Sequence, residues 1–208
     1  MKLKLLIPSL IFTILFSFFS FYLGVTYHKG EANRQVNEEL ASIRTTYTNN
    51  PDNTQTLSSD AILNLQNIAE TEKLAHDVYT LLYGKTNREI FKNMAASEYY
   101  HLTLTRKYLK DNNYTDPTEG DVIGYFKNPD LAELYRDAVV LGMNSSDPES
   151  EVGVYLENVD IREIDIALAM KLPAELVKSI DILREGSVEH KKSFIEESTK
   201  LKKPNLKK

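Results

Sequence analysis

The sequence predicts an all-α protein, a four-helix bundle with one short extra helix. Along four long segments, apolar residues recur at alternating spacings of three and four, which is typical of amphipathic helices. Short connections rich in Gly, Pro, Asn and Asp separate these segments. No stretch of convincing length alternates apolar and polar residues as a half-buried strand would. Long amphipathic helices with short connections favour a bundle.

The first two long helices have clear start and stop signals. Residues 58–60, Ser-Ser-Asp, form an N-cap cluster, and helix A is predicted to run to Tyr83 with Gly84 as its end. Helix B is predicted from Asn87 to about Asn112. The predicted buried faces are Leu65, Ile68, Glu72, Ala75, Tyr79 and Leu82 on helix A, and Ile90 or Phe91, Met94, Glu98, His101, Thr105 and Tyr108 or Leu109 on helix B.

Three further helices complete the predicted domain. An Asn-Pro pair starts a shorter helix over residues 128–141, which Gly142 is expected to end. An Asp-Pro pair, an N-cap followed by Pro at the first helical position, starts helix C over 147–170. Pro173 opens helix D. The predicted buried faces are Gly153, Leu156 or Glu157, Asp160, Ile164 and Ala167 on helix C, and Leu176, Ile180, Leu183, Ser187, His190 and Phe194 on helix D.

Composition bounds the size of the protein and excludes several classes of function. The chain has 208 residues, of which 42% are hydrophobic and 26% charged, so it fits one globular domain with an attachment. Because there is no Cys, disulfides, thiolate metal sites and Cys nucleophiles are excluded. The net charge of −5 argues against a nucleic-acid partner. The four histidines are His28, His76, His101 and His190.

An apolar segment precedes the predicted bundle. Residues 5–27 carry no charge, and as a helix these 23 residues rise about 34 Å, enough to cross a hydrocarbon core of about 30 Å. Residues 1–27 are therefore predicted to be a single-pass membrane anchor. The alternative is a cleaved signal peptide, which would leave a secreted or periplasmic domain, but the apolar run is longer than such peptides need and its end offers no small-x-small cleavage site. The short N-terminal tail favours a domain outside the cytoplasm.

The remaining sequence divides into a tether, a domain and a tail. Residues 28–57 are predicted to be a polar tether, because Thr48 to Thr56 contains Pro, Asn and Asp but no apolar residue. Residues 58–200 form the predicted helical domain. Residues 201–208 form a basic tail that is expected to fray.

Acidic and imidazole side chains interrupt the apolar face of each long helix. They are Glu72 on helix A, Glu98 and His101 on helix B, Glu157 and Asp160 on helix C, and His190 on helix D. Several carboxylates buried together repel one another strongly unless they share protons or surround cations. Carboxylate oxygens combined with imidazole nitrogens suit iron, manganese or zinc. The pattern therefore predicts these six residues as metal ligands.

Other interpretations of these residues stay open. Taken alone, Glu98 and His101 also fit an exposed pair on a solvated face. His76, one turn after Glu72, fits either a surface residue or a ligand or supporting partner of the site. A tyrosine could donate a hydrogen bond to a ligating carboxylate, and the candidates are Tyr79, Tyr99, Tyr100 and Tyr108. If the acids were instead spread over the surface or paired with Lys and Arg, the domain would be a metal-free interaction module at the cell envelope.

The chain also resembles the ferritin-like superfamily. AETEKLAHDVYTLLY, residues 69–83, carries the Glu-x-x-Ala-x-x-x-Tyr pattern of the first helix of that superfamily, and IFKNMAASEYYH, residues 90–101, carries the Glu-x-x-His of the second. Together with FKNPDLAELY (126–135), GVYLENVDIREI (153–164) and LREGSVEHKKSF (183–194), these segments are more closely similar to an uncharacterised prokaryotic family of ferritin-like domains. The resemblance covers roughly residues 60–200 and implies a ferritin-like four-helix bundle.

The resemblance also implies a ligand set. Glu72 matches the first-helix ligand, Glu98 and His101 match the bridging carboxylate and its histidine, Glu157 matches the third-helix carboxylate, and His190 matches the fourth-helix histidine. Ser187 departs from the pattern, because a Glu is expected three residues before the last His. Asp160 is the candidate to compensate, since it lies on the same side of its helix as Glu157.

The resemblance finally implies a class of chemistry. Two iron ions are the expected cofactor, with manganese or zinc as alternatives, for redox chemistry on oxygen species or for iron handling. A chain anchored at its N-terminus is poorly suited to a closed storage shell. Because no Cys is available for electron transfer within the chain, an external electron donor is expected as a partner. A homodimer is a further expectation.

Overall fold

Residues 57–202 are described by a computed structural model, and within that range they form helices and loops with no strand. The helices are α1 Ser59–Thr86, α2 Glu89–Asp111, α3 Pro129–Asn144, α4 Val154–Leu168 and α5 Ala174–Lys202, and a π-helical turn, Glu149–Gly153, leads directly into α4. The all-α class predicted from the hydrophobic periodicity is confirmed.

Several predicted segments lie outside the described residues. They are the membrane anchor 1–27, the tether 28–57 except for its last residue, and the last six residues of the tail 201–208. Among the residues that are described, no helix has the combined length and apolar character needed to cross a bilayer.

The end of α1 corrects a sequence prediction. Ser58 caps the helix as expected, its Oγ accepting the backbone N–H of Ala61 at 3.2 Å. Gly84 does not end the helix, which continues for two more residues. The end lies at Asn87, whose backbone is left-handed with φ 52° and whose N–H donates to the Tyr83 carbonyl at 2.8 Å. Because Asn adopts the left-handed conformation more readily than most residues, Asn87 and not Gly84 ends the helix.

Gly142 was also wrongly predicted to end a helix. The helix α3 continues past it to Asn144. A Cβ placed at Gly142 would lie 2.7 Å from Cδ2 of Leu82. Gly142 is therefore the position at which α3 packs closely against α1, and its missing side chain serves packing and not termination.

The loop between α2 and α3 covers an outer face of α1 and buries charge there. Lys73 and Asp77 are both buried and paired, with Nζ 2.5 Å from Asp77 Oδ2. Lys73 Nζ also donates to the Val122 carbonyl at 2.7 Å, and Asp77 accepts the backbone N–H of Gly124 at 2.9 Å. The pair thus anchors the backbone of the loop to α1.

Two apolar clusters flank a polar layer. One contains Val78, Leu82, Phe91, Leu156 and Phe194, and the other contains Leu65, Ile68, Leu102, Ile164 and Ile180. The helices α1, α2, α4 and α5 contribute to both clusters. In each helix the acidic and histidine residues fall between the segments that belong to the two clusters, so the bundle brings these polar residues to one level.

Candidate metal centre

Six side chains from four helices meet in the polar layer, and all six are buried. The exposed fraction is 0% for Glu72 on α1, Glu98 on α2 and Glu157 on α4, 1% for Asp160 on α4, 3% for His101 on α2 and 9% for His190 on α5. These are the six residues that the sequence predicted as metal ligands. Each was placed by helical periodicity on the inner face of its helix, and the bundle brings the faces together.

Glu98 lies at the centre of the layer, between the two histidines. Its Oε2 is 3.1 Å from Nδ1 of His101, and its Oε1 is 2.6 Å from Nδ1 of His190. The imidazole rings of the two histidines stack with centroids 5.4 Å apart and planes inclined by 19°. Each of the two oxygens of this carboxylate therefore faces a different imidazole.

The other three carboxylates surround this central group. Oε2 of Glu72 is 3.2 Å from Nδ1 of His101, and Oε2 of Glu157 is 3.6 Å from Nδ1 of His190. Asp160 approaches from the side of Glu72 and Glu98, since these three residues each offer an oxygen within 4.8 Å of the others. Glu98, His101 and His190 form a second such group, so two potential metal positions share Glu98.

Much of the hydrogen-bonding capacity in the layer is unused. Both oxygens of Asp160, Oε1 of Glu72 and Oε2 of Glu157 are buried without a hydrogen-bond partner. Glu98 Oε1 and His190 Nδ1 are close but not aligned for a hydrogen bond. Within residues 57–202, the ion pairs of Glu72, Glu98 and Glu157 are with histidines and none is with Lys or Arg. Buried oxygens in this state cost free energy unless a cation joins them.

Burial raises the pKa of three of the carboxyl groups. The pKa of Glu72 rises to about 8, because loss of solvent outweighs the favourable contact with His101. Burial and the neighbouring charge of Glu98 raise the pKa of Glu157 to about 7. The pKa of Asp160 is well above its usual value, first through burial and then through repulsion by the other carboxylates.

The pKa values of the central carboxylate and of the two histidines shift so that the charged form of each group is favoured. Burial alone would raise the pKa of Glu98, but His190 and His101 together hold it well below its usual range. Burial would lower the pKa of His101, but Glu72 and Glu98 raise it to about 9. Glu98 and Glu157 likewise raise the pKa of His190 well above its usual value. Without a cation the layer therefore retains protons, which a divalent metal would displace.

Residues next to the layer fix the ligand positions. The Tyr79 hydroxyl donates to Glu157 Oε1 at 2.7 Å and also lies 3.3 Å from the Gly153 carbonyl oxygen. Tyr79, one of the tyrosines predicted as candidates, therefore contacts a carboxylate of the layer. Gly153 belongs to the π-helical turn, so this turn and Tyr79 together set the position of Glu157.

Gly186 is a functional position that the sequence reasoning missed. A Cβ there would lie 2.6 Å from Cε1 and 2.7 Å from Nε2 of His101, so the absent side chain leaves the room that the imidazole occupies. A glycine inside a helix costs about 1 kcal/mol relative to alanine. Gly186 lies three residues before Glu189 and four before His190 in the same predicted helix. A glycine at such a position, despite its cost, is the sequence signal that another part of the chain packs closely against the helix.

His76 and Ser187 do not join the ligand group. Nδ1 of His76 lies 2.8 Å from the Ala95 carbonyl oxygen, and its ring packs against Tyr99. His76 is thus engaged with the backbone of α2 and is half-buried. Ser187 is fully buried, and its hydroxyl donates to the Leu183 carbonyl within its own helix at 3.2 Å.

The donor set fits first-row transition metals. Carboxylate and imidazole donors together are the ligands that iron, manganese and zinc accept, and no thiolate is present to favour a softer site. The unpartnered oxygens provide the negative charge that a buried divalent cation needs. The described part of the chain is thus an all-α bundle protein with a buried carboxylate–histidine group that could hold metal ions.

The chain belongs to the family DUF2202, described as an uncharacterized protein domain, whose pattern matches residues 61–202. It is 36% identical over 142 residues to the uncharacterized protein MJ0754 of Methanocaldococcus jannaschii. The aligned region covers 68% of this chain and 76% of that protein. The crystal structure of hypothetical protein MJ0754 from Methanococcus jannaschii DSM 2661 is similar in fold, with a TM-score of 0.67 and 34% identity over 71% of this chain and 85% of that one. The predicted membership of an uncharacterised domain family is confirmed.

Proposed function

We propose that this protein is a ferritin-like metalloprotein that binds two metal ions in the carboxylate–histidine layer. The observation that carries the proposal is the position of Glu98, which is fully buried and belongs to both groups of potential ligands. A carboxylate shared in this way suits a bridge between two cations, because each oxygen faces a different imidazole.

The shortest contacts of the histidines divide the ligands into two halves, each with one histidine, and Glu98, which lies within 4.8 Å of both imidazoles, joins the halves. In the first half, His101 lies between Glu72 and Glu98, and Asp160 adds a further carboxylate. In the second half, His190 lies between Glu98 and Glu157. Asp160 on α4 thus adds its carboxylate to the first half, while α5 contributes His190 to the second. We assign iron as the expected metal, with manganese and zinc as the alternatives to be compared.

A pair of bound metals would supply redox chemistry on small oxygen species, or oxidation and handling of iron itself. The protein's own residues would hold the ligands in place: Tyr79 orients Glu157, and Gly186 leaves room for His101. The apolar clusters on both sides of the layer exclude water from it. Because the chain contains no Cys, we place the source of electrons in a separate donor protein or molecule.

We further propose that the domain acts at the cell membrane, outside the cytoplasm. The support is the uncharged run 5–27 and the polar segment that follows it. A secreted or periplasmic domain released by signal cleavage is the alternative, and the size of the mature chain in its native membrane fraction separates the two.

The second candidate function, a metal-free interaction module, requires the inward acids to be paired or solvated. The buried oxygens of Glu72, Glu157 and Asp160 have no hydrogen-bond partner, and this favours the metal-binding function. A metal-free module would therefore retain a costly interior without any evident gain in stability.

Metal analysis of the purified full chain tests the proposal. After loading with Fe(II), Mn(II) or Zn(II) and removal of excess metal, the wild-type chain is expected to hold about two ions, by analogy with two-metal sites. Glu98→Gln removes the shared charge and is expected to lose both. Glu89→Gln, an exposed glutamate on the same helix, is the matched control and should bind as the wild type does. Absence of stoichiometric binding for all three metals in the folded wild-type chain would refute the function.

A further inference from the structure

The two halves of the layer are unequally supplied with ligands. Besides the shared Glu98, the first half has Glu72, His101 and Asp160. The second half has His190 and Glu157, and among the described residues Glu157 belongs to neither of the two groups whose ligand atoms lie within 4.8 Å of one another. The second half is therefore one protein donor short of the first.

Ser187 accounts for the missing donor. It lies three residues before His190, on the same face of α5 and fully buried, so a longer acidic side chain there would reach the layer. The serine hydroxyl instead donates to the Leu183 carbonyl within the helix. Its side chain is also too short to replace a carboxylate. The side of the second half that faces α5 thus has no acidic ligand.

The second half also holds buried polar atoms that lack partners. Tyr79 occupies Oε1 of Glu157, so one oxygen of this carboxylate, Oε2, remains without a hydrogen-bond partner. Nδ1 of His190 has no aligned partner either. At 9%, His190 is the most exposed of the six side chains, whereas Glu72 in the first half is fully buried. His101, the corresponding imidazole of the first half, is only 3% exposed, so the second half is the one nearer to solvent.

We propose that a metal ion held by Glu157, His190 and Glu98 would keep one position open for a small anion, while the Glu72–His101 half is closed by protein ligands. This inference rests on the proposed function. Metal sites that do chemistry keep a position open for an exogenous ligand, whereas structural sites are filled by protein donors. Ser187 creates that open position, because it stands where an acidic side chain would complete the ligand set.

The test uses azide as the anion and Co(II) as a spectroscopic substitute for the native metal. Azide is titrated into the Co(II)-loaded full chain, and changes in the visible absorption of Co(II) report its binding. The wild type and Ser187→Ala are expected to bind azide alike, since alanine adds no donor. Ser187→Glu is expected to weaken azide binding at least about tenfold and to tighten the weaker of the two metals, because the carboxylate fills the open position.

A second variant keeps the test decisive if glutamate at this buried position prevents folding, which far-ultraviolet circular dichroism and thermal melting would reveal. Glu157→Gln removes a ligand of the proposed anion position, so it should weaken one metal and abolish the azide response. Glu72→Gln should weaken binding of the metal ion in the first half and leave the azide response of the second half unchanged. Two bound metals with no azide response, or equal azide binding in all variants, would overturn this inference while leaving the proposed function intact. A chain that binds no metal overturns both.

Discussion

Substitution of Gly186 by alanine should disable the carboxylate–histidine layer without unfolding the bundle. The added methyl would lie 2.6 Å from Cε1 of His101, so the ring or the helix must retreat by about 0.8 Å to reach 3.4 Å, the lower limit of ordinary contact. Metal–ligand distances vary by only about 0.2 Å within a working site. The required displacement is several times larger, so His101 should be lost as an effective ligand.

The same substitution has two opposing effects on stability. Overpacking of a filled interior costs about 1–3 kcal/mol, whereas replacing a helical glycine by alanine recovers about 0.5–1 kcal/mol. We expect the metal-free Gly186→Ala chain to lose up to about 2.5 kcal/mol, a decrease in Tm of no more than about 10 °C at roughly 2–4 °C per kcal/mol. Its metal affinity should fall at least about tenfold.

Gly84→Ala is the matched control for this experiment. Gly84 also lies within a long helix, but a Cβ there meets nothing within 4 Å. We expect its Tm to rise by about 1–4 °C from the gain in helix propensity, with metal binding unchanged. Calorimetric metal titration and thermal melting of both variants check these values. If Gly186→Ala binds metal with wild-type affinity and gains stability as Gly84→Ala does, the close approach of α5 to His101 is wrong.

Two further predictions concern charge. Because Glu72 and His101 have pKa values raised to about 8 and about 9, their contribution to stability is present below pH 4.5 and pH 6.5 respectively and is lost as pH rises through the raised values. The Tm of the metal-free chain, measured in the presence of a chelator, should therefore fall between pH 6 and pH 9. The increase in Tm caused by Mn(II) should be larger at pH 8 than at pH 6, because metal binding requires ionised carboxylates and neutral imidazoles. A metal-free Tm that is flat or rises over this range contradicts the raised pKa values of Glu72 and His101. Lys73→Met leaves Asp77 as an unpaired buried charge and should lower the free energy of unfolding, measured with denaturant, by about 3–5 kcal/mol. Lys73→Met combined with Asp77→Asn should recover part of that loss. Equal losses in the single and double variants would show that the pair does not hold the loop.

The helices and the inner faces of the bundle could be predicted from local patterns. The positions of Glu72, Glu98 and His190 on buried faces follow from helical spacing alone, because periodicity records which side of a helix avoids water. The interpretation of Glu98 and His101 as an exposed pair is wrong, since both are buried. The absence of Cys likewise restricts any metal site to oxygen and nitrogen donors.

Local patterns failed where the effect of a residue depends on a distant segment. Gly84 and Gly142 were both predicted as helix ends, yet one is an exposed helical residue and the other is a contact point for Leu82. Lys73 and Asp77 are buried because a loop about 50 residues later in the chain lies over them. A propensity rule contains no information about such contacts.

The sequence by itself determined the helical class and the six residues that face the interior, since both follow from periodicity and composition. Only the tertiary structure decided which imidazole lies beside which carboxylate, that Tyr79 holds Glu157, and that Gly186 makes room for His101. The physical reason is that ligand geometry depends on the packing of four helices at the level of ångströms. Helical spacing specifies the face on which a side chain lies, but not its distance from a side chain on another helix.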